Sequence, residues 1–229
     1  MLSDYIATVL GAGWLSLQLA VISLVLAVAL GLLGALCKRS GSRALRLLVG
    51  VYTTVVRGVP DLVLMLLVFY SVPALLNQRL EAMGWDYHVE FSPFAAGCAT
   101  LGLIFGAYMT ETFRGALQGI APGQIEAAHA YGLGRVRTFR SIVLPQMIRL
   151  ALPGFTNNWL VLVKATALVS LLGLQDIMFR ARGAAEATGK PFTFYLLAGA
   201  FYLAITVISL AALVALGRRY SLGVKELSR

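Results

Sequence analysis

Residues 126–145 read EAAHAYGLGRVRTFRSIVLP, a polar and basic stretch that lies between two long apolar runs. Its first six residues are helix formers, and the Gly-Leu-Gly that follows supplies a stop and a turn. A second, amphipathic helix is expected over 135–143, ending before Pro145 because proline disrupts a helix interior. The stretch therefore predicts a compact helix–turn–helix within a wider polar loop, residues 118–149.

Apolar runs on both sides of this loop are long enough to cross a bilayer, for which about 20 residues of helix suffice. They cover 13–36, 47–76, 93–117, 152–174 and 192–217. Backbone polar groups in lipid must be satisfied within the segment, which favours helices, and the alternating pattern of barrel strands is absent from the sequence. The sequence predicts one all-α membrane domain, residues 1–229, with five transmembrane helices.

The composition agrees with a membrane protein. Of the 229 residues, 59% are hydrophobic and only 13% are charged, against about 25% charged in soluble domains. The net charge of +9 does not indicate nucleic-acid binding, because the basic residues form short clusters between apolar runs, as they do beside anionic lipid. Two cysteines, Cys37 and Cys98, are too few for a disulfide framework or a metal site.

The basic clusters also predict the orientation of the chain. They are Lys38, Arg39, Arg43 and Arg46, then Arg135, Arg137, Arg140 and Arg149, and finally Arg218, Arg219, Lys225 and Arg229. Cytoplasmic loops carry an excess of Lys and Arg. With five spans, this places the N-terminus outside, and the 118–149 loop and the C-terminus in the cytoplasm. The fourth connection, with Arg180, Arg182 and Lys190, is more basic than is typical of an outside loop.

The second apolar run, 47–76, is too long for one straight helix. It would measure about 45 Å at 1.5 Å per residue, against a hydrocarbon core of about 30 Å. Within it lies the pentapeptide Arg57-Gly58-Val59-Pro60-Asp61, where proline removes a helical hydrogen bond and restricts the residue before it. We expect a break near Arg57–Pro60 and a spanning helix that begins at about Pro60. The Asp61 carboxylate would then complement the positive N-terminal end of that helix.

The loop also has a specific residue spacing. Glu126-Ala127-Ala128 is followed by three residues, Gly132, nine residues, Ile142, one residue and Leu144-Pro145. This pattern resembles the signature loop of permease subunits of binding-protein-dependent ABC importers. Residues 53–64, 106–116, 153–158 and 164–174 resemble further segments of the polar amino-acid permeases in that family, above all those of histidine and lysine/arginine/ornithine importers. The resemblance covers most of residues 13–220.

The resemblance implies a type I importer bundle in the bacterial inner membrane, whose short cytoplasmic coupling helix docks on an ATPase. The ATPase-coupling residues would be Glu126, Ala127, Ala128, Gly132, Leu144 and Pro145. Small alanines allow close backbone approach, Glu126 offers a charge and Gly132 permits the turn. The alternative is an amphipathic helix lying on the membrane surface.

The resemblance also implies several partners: a second homologous permease, an ABC ATPase dimer, a periplasmic substrate-binding protein, membrane lipid and an amino acid such as histidine or another basic or polar one. ATP and magnesium would be held by the ATPase, because this chain shows no nucleotide loop, metal cluster or catalytic group of its own. An ion-coupled secondary transporter is the competing class. That class would leave the loop without a purpose, and the internal repeats common in such carriers are not found.

Ionisable groups within spans are costly and usually face a cavity or a partner. Lys164 is either a pathway residue, a counter-ion or a lysine that reaches toward the interface, and a lone lysine would repel a basic substrate. Asp61 either attracts a cationic group of an amino acid or only starts a helix. Arg57 either holds a substrate carboxylate or pairs with Asp61, and we expect the pairing.

Three more polar residues complete the candidate substrate pathway. Glu111 lies three residues before Arg114 on one helix face, a spacing that favours a local ion pair over substrate contact. Asn157 and Asn158 either hydrogen-bond across helices or line the pathway. Many relatives in the family have a carboxylate where this chain has Ala165, which suggests that the partner permease supplies more of the substrate selectivity.

Overall fold

The computed structural model describes residues 2–220, which contain helices and their connections but no strand. In chain order the helices are α1 (Leu2–Arg39), α2 (Arg43–Gly58), α3 (Asp61–Ala82), α4 (Pro93–Gln118), α5 (Pro122–Ala130), α6 (Arg135–Leu172), α7 (Ile177–Thr188) and α8 (Pro191–Tyr220). Within the described range, α1, α3, α4, α6 and α8 are long and apolar enough to cross a membrane. The predicted all-α architecture with five transmembrane helices is confirmed. Lys225 and Arg229, used above for orientation, lie outside the described residues.

The predicted break in the second apolar run is present. Helix α2 ends at Gly58, and the next two residues are extended: Val59 has φ −103° and ψ 138°, and Pro60 has φ −57° and ψ 135°. Helix α3 then begins at Asp61, whose carboxylate lies in the first turn. The break lets a short amphipathic helix precede a separate spanning helix of ordinary length.

One predicted helix end is wrong. The helix expected to stop before Pro145 instead continues, and α6 runs without interruption from Arg135 to Leu172. A π-helical turn over Phe139–Val143 accommodates the proline, and the Leu144 amide donates to the Phe139 carbonyl five residues earlier. The wider turn makes room for the proline ring, so the part of the polar loop from Arg135 onward and the fourth span form one continuous rod.

Helix α7, in the fourth connection, was not predicted. Asp176 caps it, with the side chain accepting a hydrogen bond from the Phe179 amide, and Gly189 ends it with φ +66°. The apolar face of α7 packs against α1 and α8. Burial raises the pKa of Asp176 to about 6, although hydrogen bonds from backbone amides such as that of Phe179 oppose this shift.

Helix α4 forms the centre of the bundle and packs closely against α1. Glycines on both helices permit the close approach. A Cβ on Gly102 would lie 2.8 Å from Leu26 Cβ, and one on Gly106 would lie 2.9 Å from Leu30 Cβ. Gly31 of α1 faces the Met109 side chain and backbone in the same way. The contact therefore depends on small residues from both helices, as is common in membrane bundles.

This packing gives a testable expectation for stability. Gly31→Val would push the new side chain into Met109, and overpacking of this kind costs about 1–3 kcal/mol. Gly11→Val is the matched control, because it makes the same change on the same helix where nothing lies within 4 Å. Thermal denaturation in detergent should show a lower midpoint for Gly31→Val only. Equal midpoints would show that α1 and α4 do not pack as described.

Candidate functional site: the α5–α6 turn and a polar cleft

The turn between α5 and α6 is a tight, hydrogen-bonded structure. Gly132 adopts φ +79°, which a glycine accepts without strain. Its amide donates to the His129 carbonyl at 2.9 Å, and the Leu133 amide donates to the Ala128 carbonyl at 3.0 Å. This pair of bonds is a Schellman motif. The predicted helix–turn–helix around Gly132 is present, and its geometry explains why glycine stands there.

The outer face of this turn is exposed and partly apolar. Glu126 and Ala127 are exposed on α5, whereas Ala128 points inward and is buried. Tyr131 is 87% exposed and Val136 is 72% exposed, so two large apolar side chains project from the tip. Exposed apolar side chains beside a charge are typical of a protein contact surface. We call Glu126, Ala127, Tyr131 and Val136 the α5 outer face.

The other two residues predicted for the loop lie at its base. Leu144 and Pro145 are half-buried at the start of the straight part of α6, and Pro145 lines a recess between α5 and α6. Gln146 bridges this recess by donating to the Gln124 side chain at 2.6 Å. Helix α5 is thus tied directly to α6, and a force applied to α5 reaches a spanning helix.

A second site is a small polar cleft of about 130 Å³ between α3, α4 and α6. Its lining residues are Asp61, Phe105, Tyr108, Asn157, Asn158 and Val161. The Arg57 guanidinium lies 5.3 Å from the centre of the Tyr108 ring, at cation–π distance. The structure therefore brings Arg57, Asp61 and Asn157 together around one aromatic ring.

The expected ion pair between Arg57 and Asp61 is not observed within residues 2–220. A continuous helix would align residues four apart on one face. The extended backbone at Val59 and Pro60 removes that alignment. Both charged groups therefore stay available beside the cleft.

The remaining pathway candidates occupy different settings. Asn158 is buried and donates to the Thr112 hydroxyl at 3.1 Å, so its amide ties α6 to α4. Lys164 is exposed on the same face of α6 as Asn157 and Val161, about two helical turns beyond Asn157. Asn157 and Val161 line the cleft, whereas Lys164 does not.

Glu111 lies in a charged cluster between α1, α2 and α4. The expected pair with Arg114 is present, with 2.7 Å between nitrogen and oxygen. Lys38 donates to the other carboxylate oxygen at 2.5 Å and to the Thr53 hydroxyl at 2.7 Å. We call Lys38, Thr53, Glu111 and Arg114 the charged cluster. Its carboxylate is fully engaged by two cations, which favours a structural role.

Ala165 is buried in the core, whereas the adjacent Lys164 is exposed. On α6, position 165 follows Val161 by four residues and Asn158 by seven, so it lies on the helix face that borders the Asp61 cleft. The suggestion that the partner permease supplies more of the substrate selectivity, because alanine replaces a carboxylate here, stays a prediction.

Sequence reasoning missed Tyr108, Tyr131 and Val136. Tyr108 looks like an ordinary aromatic residue within a span, and only the folded structure places it between Arg57 and Asp61. A usable signal existed for Tyr131 and Val136, because they flank the Gly-Leu-Gly turn in an otherwise polar loop.

Comparison with known proteins agrees with this architecture. Residues 27–222 match the family described as binding-protein-dependent transport system inner membrane component. The chain is 49% identical to the histidine/lysine/arginine/ornithine transport system permease protein HisQ of Escherichia coli K12, over 99% of both chains. It is 39% identical to the arginine ABC transporter permease protein ArtQ of Haemophilus influenzae, over 96% and 97% of the two chains.

A solved structure also matches. The crystal structure of an amino acid ABC transporter with histidines superposes with a TM-score of 0.79 at 28% sequence identity, covering 95% of this chain and 96% of that one. The inward-facing methionine ABC transporter MetNI, at 17% identity and a TM-score of 0.66, shares the fold. With its apolar helices, the chain is a multi-pass membrane protein. It belongs to the family of binding-protein-dependent transport system inner membrane components.

Proposed function

We propose that this chain is a transmembrane subunit of an ATP-driven importer of a basic amino acid, and that α5 couples it to a separate ATPase. The observation that carries this proposal is the α5 outer face: exposed apolar groups and a charge on a helix tied to a spanning helix. The names of the relatives support the substrate class. An ion-coupled carrier is disfavoured because such a carrier needs no ATPase, and the α5 outer face would then have no binding partner.

The proposed complex contains a second homologous permease, an ATPase dimer that holds ATP and magnesium, and a periplasmic binding protein. The N-terminus lies outside, and the C-terminus and α5 lie in the cytoplasm, in keeping with the basic clusters. Closure of the ATPase dimer moves α5. Because α6 is one continuous helix from Arg135 to Leu172, the movement reaches the polar cleft without passing through a flexible loop.

The polar cleft is the proposed contact site for the substrate in this subunit. The Asp61 carboxylate suits the cationic side chain or amine of a basic amino acid, and Asn157 adds a neutral hydrogen-bonding group. Arg57 rests against Tyr108 without a carboxylate partner among the described residues. It can therefore receive the substrate carboxylate. Lys164 lies farther along the same face of α6, where it would repel a cation.

Co-purification tests the assembly. The chain is expressed from its own operon with an affinity tag, extracted in mild detergent, and the bound proteins are identified by mass spectrometry. An ABC-type ATPase and a second permease should be recovered at fixed ratios. If the chain purifies alone while remaining folded, the proposed assembly is wrong.

Asp61→Asn tests the cleft. The change keeps the shape of the side chain and removes its charge. Charge-assisted hydrogen bonds contribute about 1.5–3 kcal/mol, so the rate of arginine uptake at saturating loaded binding protein should fall roughly tenfold to a hundredfold. Asp86→Asn, an identical change at an exposed position in the connection after α3, should leave uptake unchanged. An unchanged uptake rate in Asp61→Asn would place the substrate contact elsewhere in the complex.

A further inference from the structure

An apolar cleft of about 290 Å³ opens between α1, α4, α6 and α8, separate from the polar cleft. Every described side chain that lines it is apolar. They include Leu32, Phe113, Leu144, Ile148, Ala151 and Leu216. The cleft offers no hydrogen-bonding side chain to an amino acid, and its walls are helices that cross the membrane. Its shape and chemistry suit a hydrocarbon chain.

Arginines gather at one end of this cleft, as helical periodicity shows. Arg39 follows Leu32 by seven residues on α1, and Arg219 follows Leu216 by three on α8. Residues three, four or seven apart share a helix face. Each arginine therefore lies on the helix face that lines the cleft, just beyond the end of the cleft where α1 and α8 terminate. Both are exposed.

The two other helices contribute to the same end. On α6, Arg140 precedes Leu144 by one turn and is exposed. On α4, Leu117 follows Phe113 by one turn, and its carbonyl accepts a hydrogen bond from the Arg39 guanidinium at 3.2 Å. That bond places Arg39 at the mouth by direct contact. Three guanidinium groups thus border the end of an otherwise apolar cleft.

We propose that this cleft holds an acyl chain of an anionic phospholipid, with its phosphate bound by Arg39, Arg140 and Arg219. The leaflet assigned, the cytoplasmic one, rests on the orientation in the proposed function. Anionic lipids are enriched there, and basic pockets between helices on that side bind their headgroups. Arginine suits this role because its planar guanidinium binds phosphate in a bidentate manner.

The position of the lipid would matter for coupling. Leu144 lines the cleft and belongs to the loop signature, so the acyl chain would contact α6 immediately beyond the α5–α6 turn. A seated lipid would fill the space between α6, α1 and α8 at the base of the rod that transmits the movement of α5.

Native mass spectrometry of the purified complex tests the proposal. Delipidated complex is incubated with dioleoyl phosphatidylglycerol or with dioleoyl phosphatidylcholine, and bound lipid is counted. Phosphatidylglycerol should bind more tightly. The variant Arg39→Gln/Arg140→Gln/Arg219→Gln should lose affinity for it by roughly fivefold per arginine removed. Arg79→Gln/Arg180→Gln/Arg182→Gln, with the same charge change near the end of α3 and on α7, at the opposite end of the bundle from the cleft arginines, should keep wild-type affinity.

Ala151→Leu tests whether the cleft holds the acyl chain, because the larger side chain reduces the space in the cleft without changing the charge. It should also weaken phosphatidylglycerol binding. Equal binding of both lipids, or wild-type binding by the cleft arginine variant, would overturn the proposal. So would a photo-crosslinker at position 148 that joins the second permease in place of lipid. Because neither ATP nor amino acid is used, such a failure is distinguishable from a failure of ATP-driven import.

Discussion

Glu126→Lys is expected to release the ATPase from the complex and to abolish ATP-driven uptake. Glu126 is an exposed charge on the α5 outer face, next to small Ala127. Removing one partner of a buried interface charge pair costs about 2–5 kcal/mol, and reversing its sign adds repulsion, so the affinity should fall at least roughly thirtyfold. The ratio of ATPase to permease after co-purification measures the effect.

Two further variants sharpen this test. Glu81→Lys makes the same reversal at an exposed position near the end of α3, away from the α5 outer face, and should retain the ATPase. Tyr131→Ala removes a side chain that is 87% exposed in the isolated chain, and should also lose the ATPase because tyrosines are frequent interface hot spots. If both Glu126→Lys and Tyr131→Ala retain the ATPase, another surface of this chain provides the contact.

The second large effect is expected at the charged cluster. Glu111→Ala would leave Lys38 and Arg114 as neighbouring cations without their carboxylate. Breaking a fully buried pair costs about 3–5 kcal/mol, and because Lys38 and Glu111 are 16% and 20% exposed we expect about 2 kcal/mol. Thermal denaturation in detergent should show a clearly lower midpoint.

Glu186→Ala is the matched control, because Glu186 pairs with Arg182 on one helix while both side chains are about two-thirds exposed. Such a pair contributes little, so the midpoint should hardly move. Adding Lys38→Met to Glu111→Ala should recover part of the lost stability, since it removes one unpaired cation. If Glu111→Ala and Glu186→Ala behave alike, the charged cluster does not hold α1, α2 and α4 together.

Much of the architecture could be predicted from local sequence. The length of each apolar run identifies the transmembrane helices, because the thickness of the bilayer sets the minimum number of helical residues needed to cross it. The break at Val59 and Pro60 follows from the proline and from the excess length of the run. The turn at Gly132 follows from glycine chemistry, and it is present with φ +79°.

The errors share a different cause. Whether a helix stops at Pro145 depends on whether a π turn makes room for the ring, which local propensity does not report. Helix α7 carried recognisable signals, Asp176 at its start and Gly189 at its end, but its polar and basic composition suggested a loop.

The candidate site was predictable only in part. The loop signature is contiguous in sequence, so its residues could be found together. The partner of Glu111 could not, because Lys38 lies 73 residues away and meets it only through the packing of α1 on α4. In the same way, Tyr108 enters the polar cleft through the packing of α4 beside α3 and α6.

Uptake of radiolabelled arginine and histidine by reconstituted complex is the most direct test of ATP-driven import. Proteoliposomes would contain the complex purified through a tag on this chain, with binding protein on one side and ATP on the other. The predicted result is uptake that requires ATP and the binding protein and that persists with a protonophore and without sodium. Uptake by this chain in the absence of any ATPase, driven by an imposed ion gradient, would contradict the account.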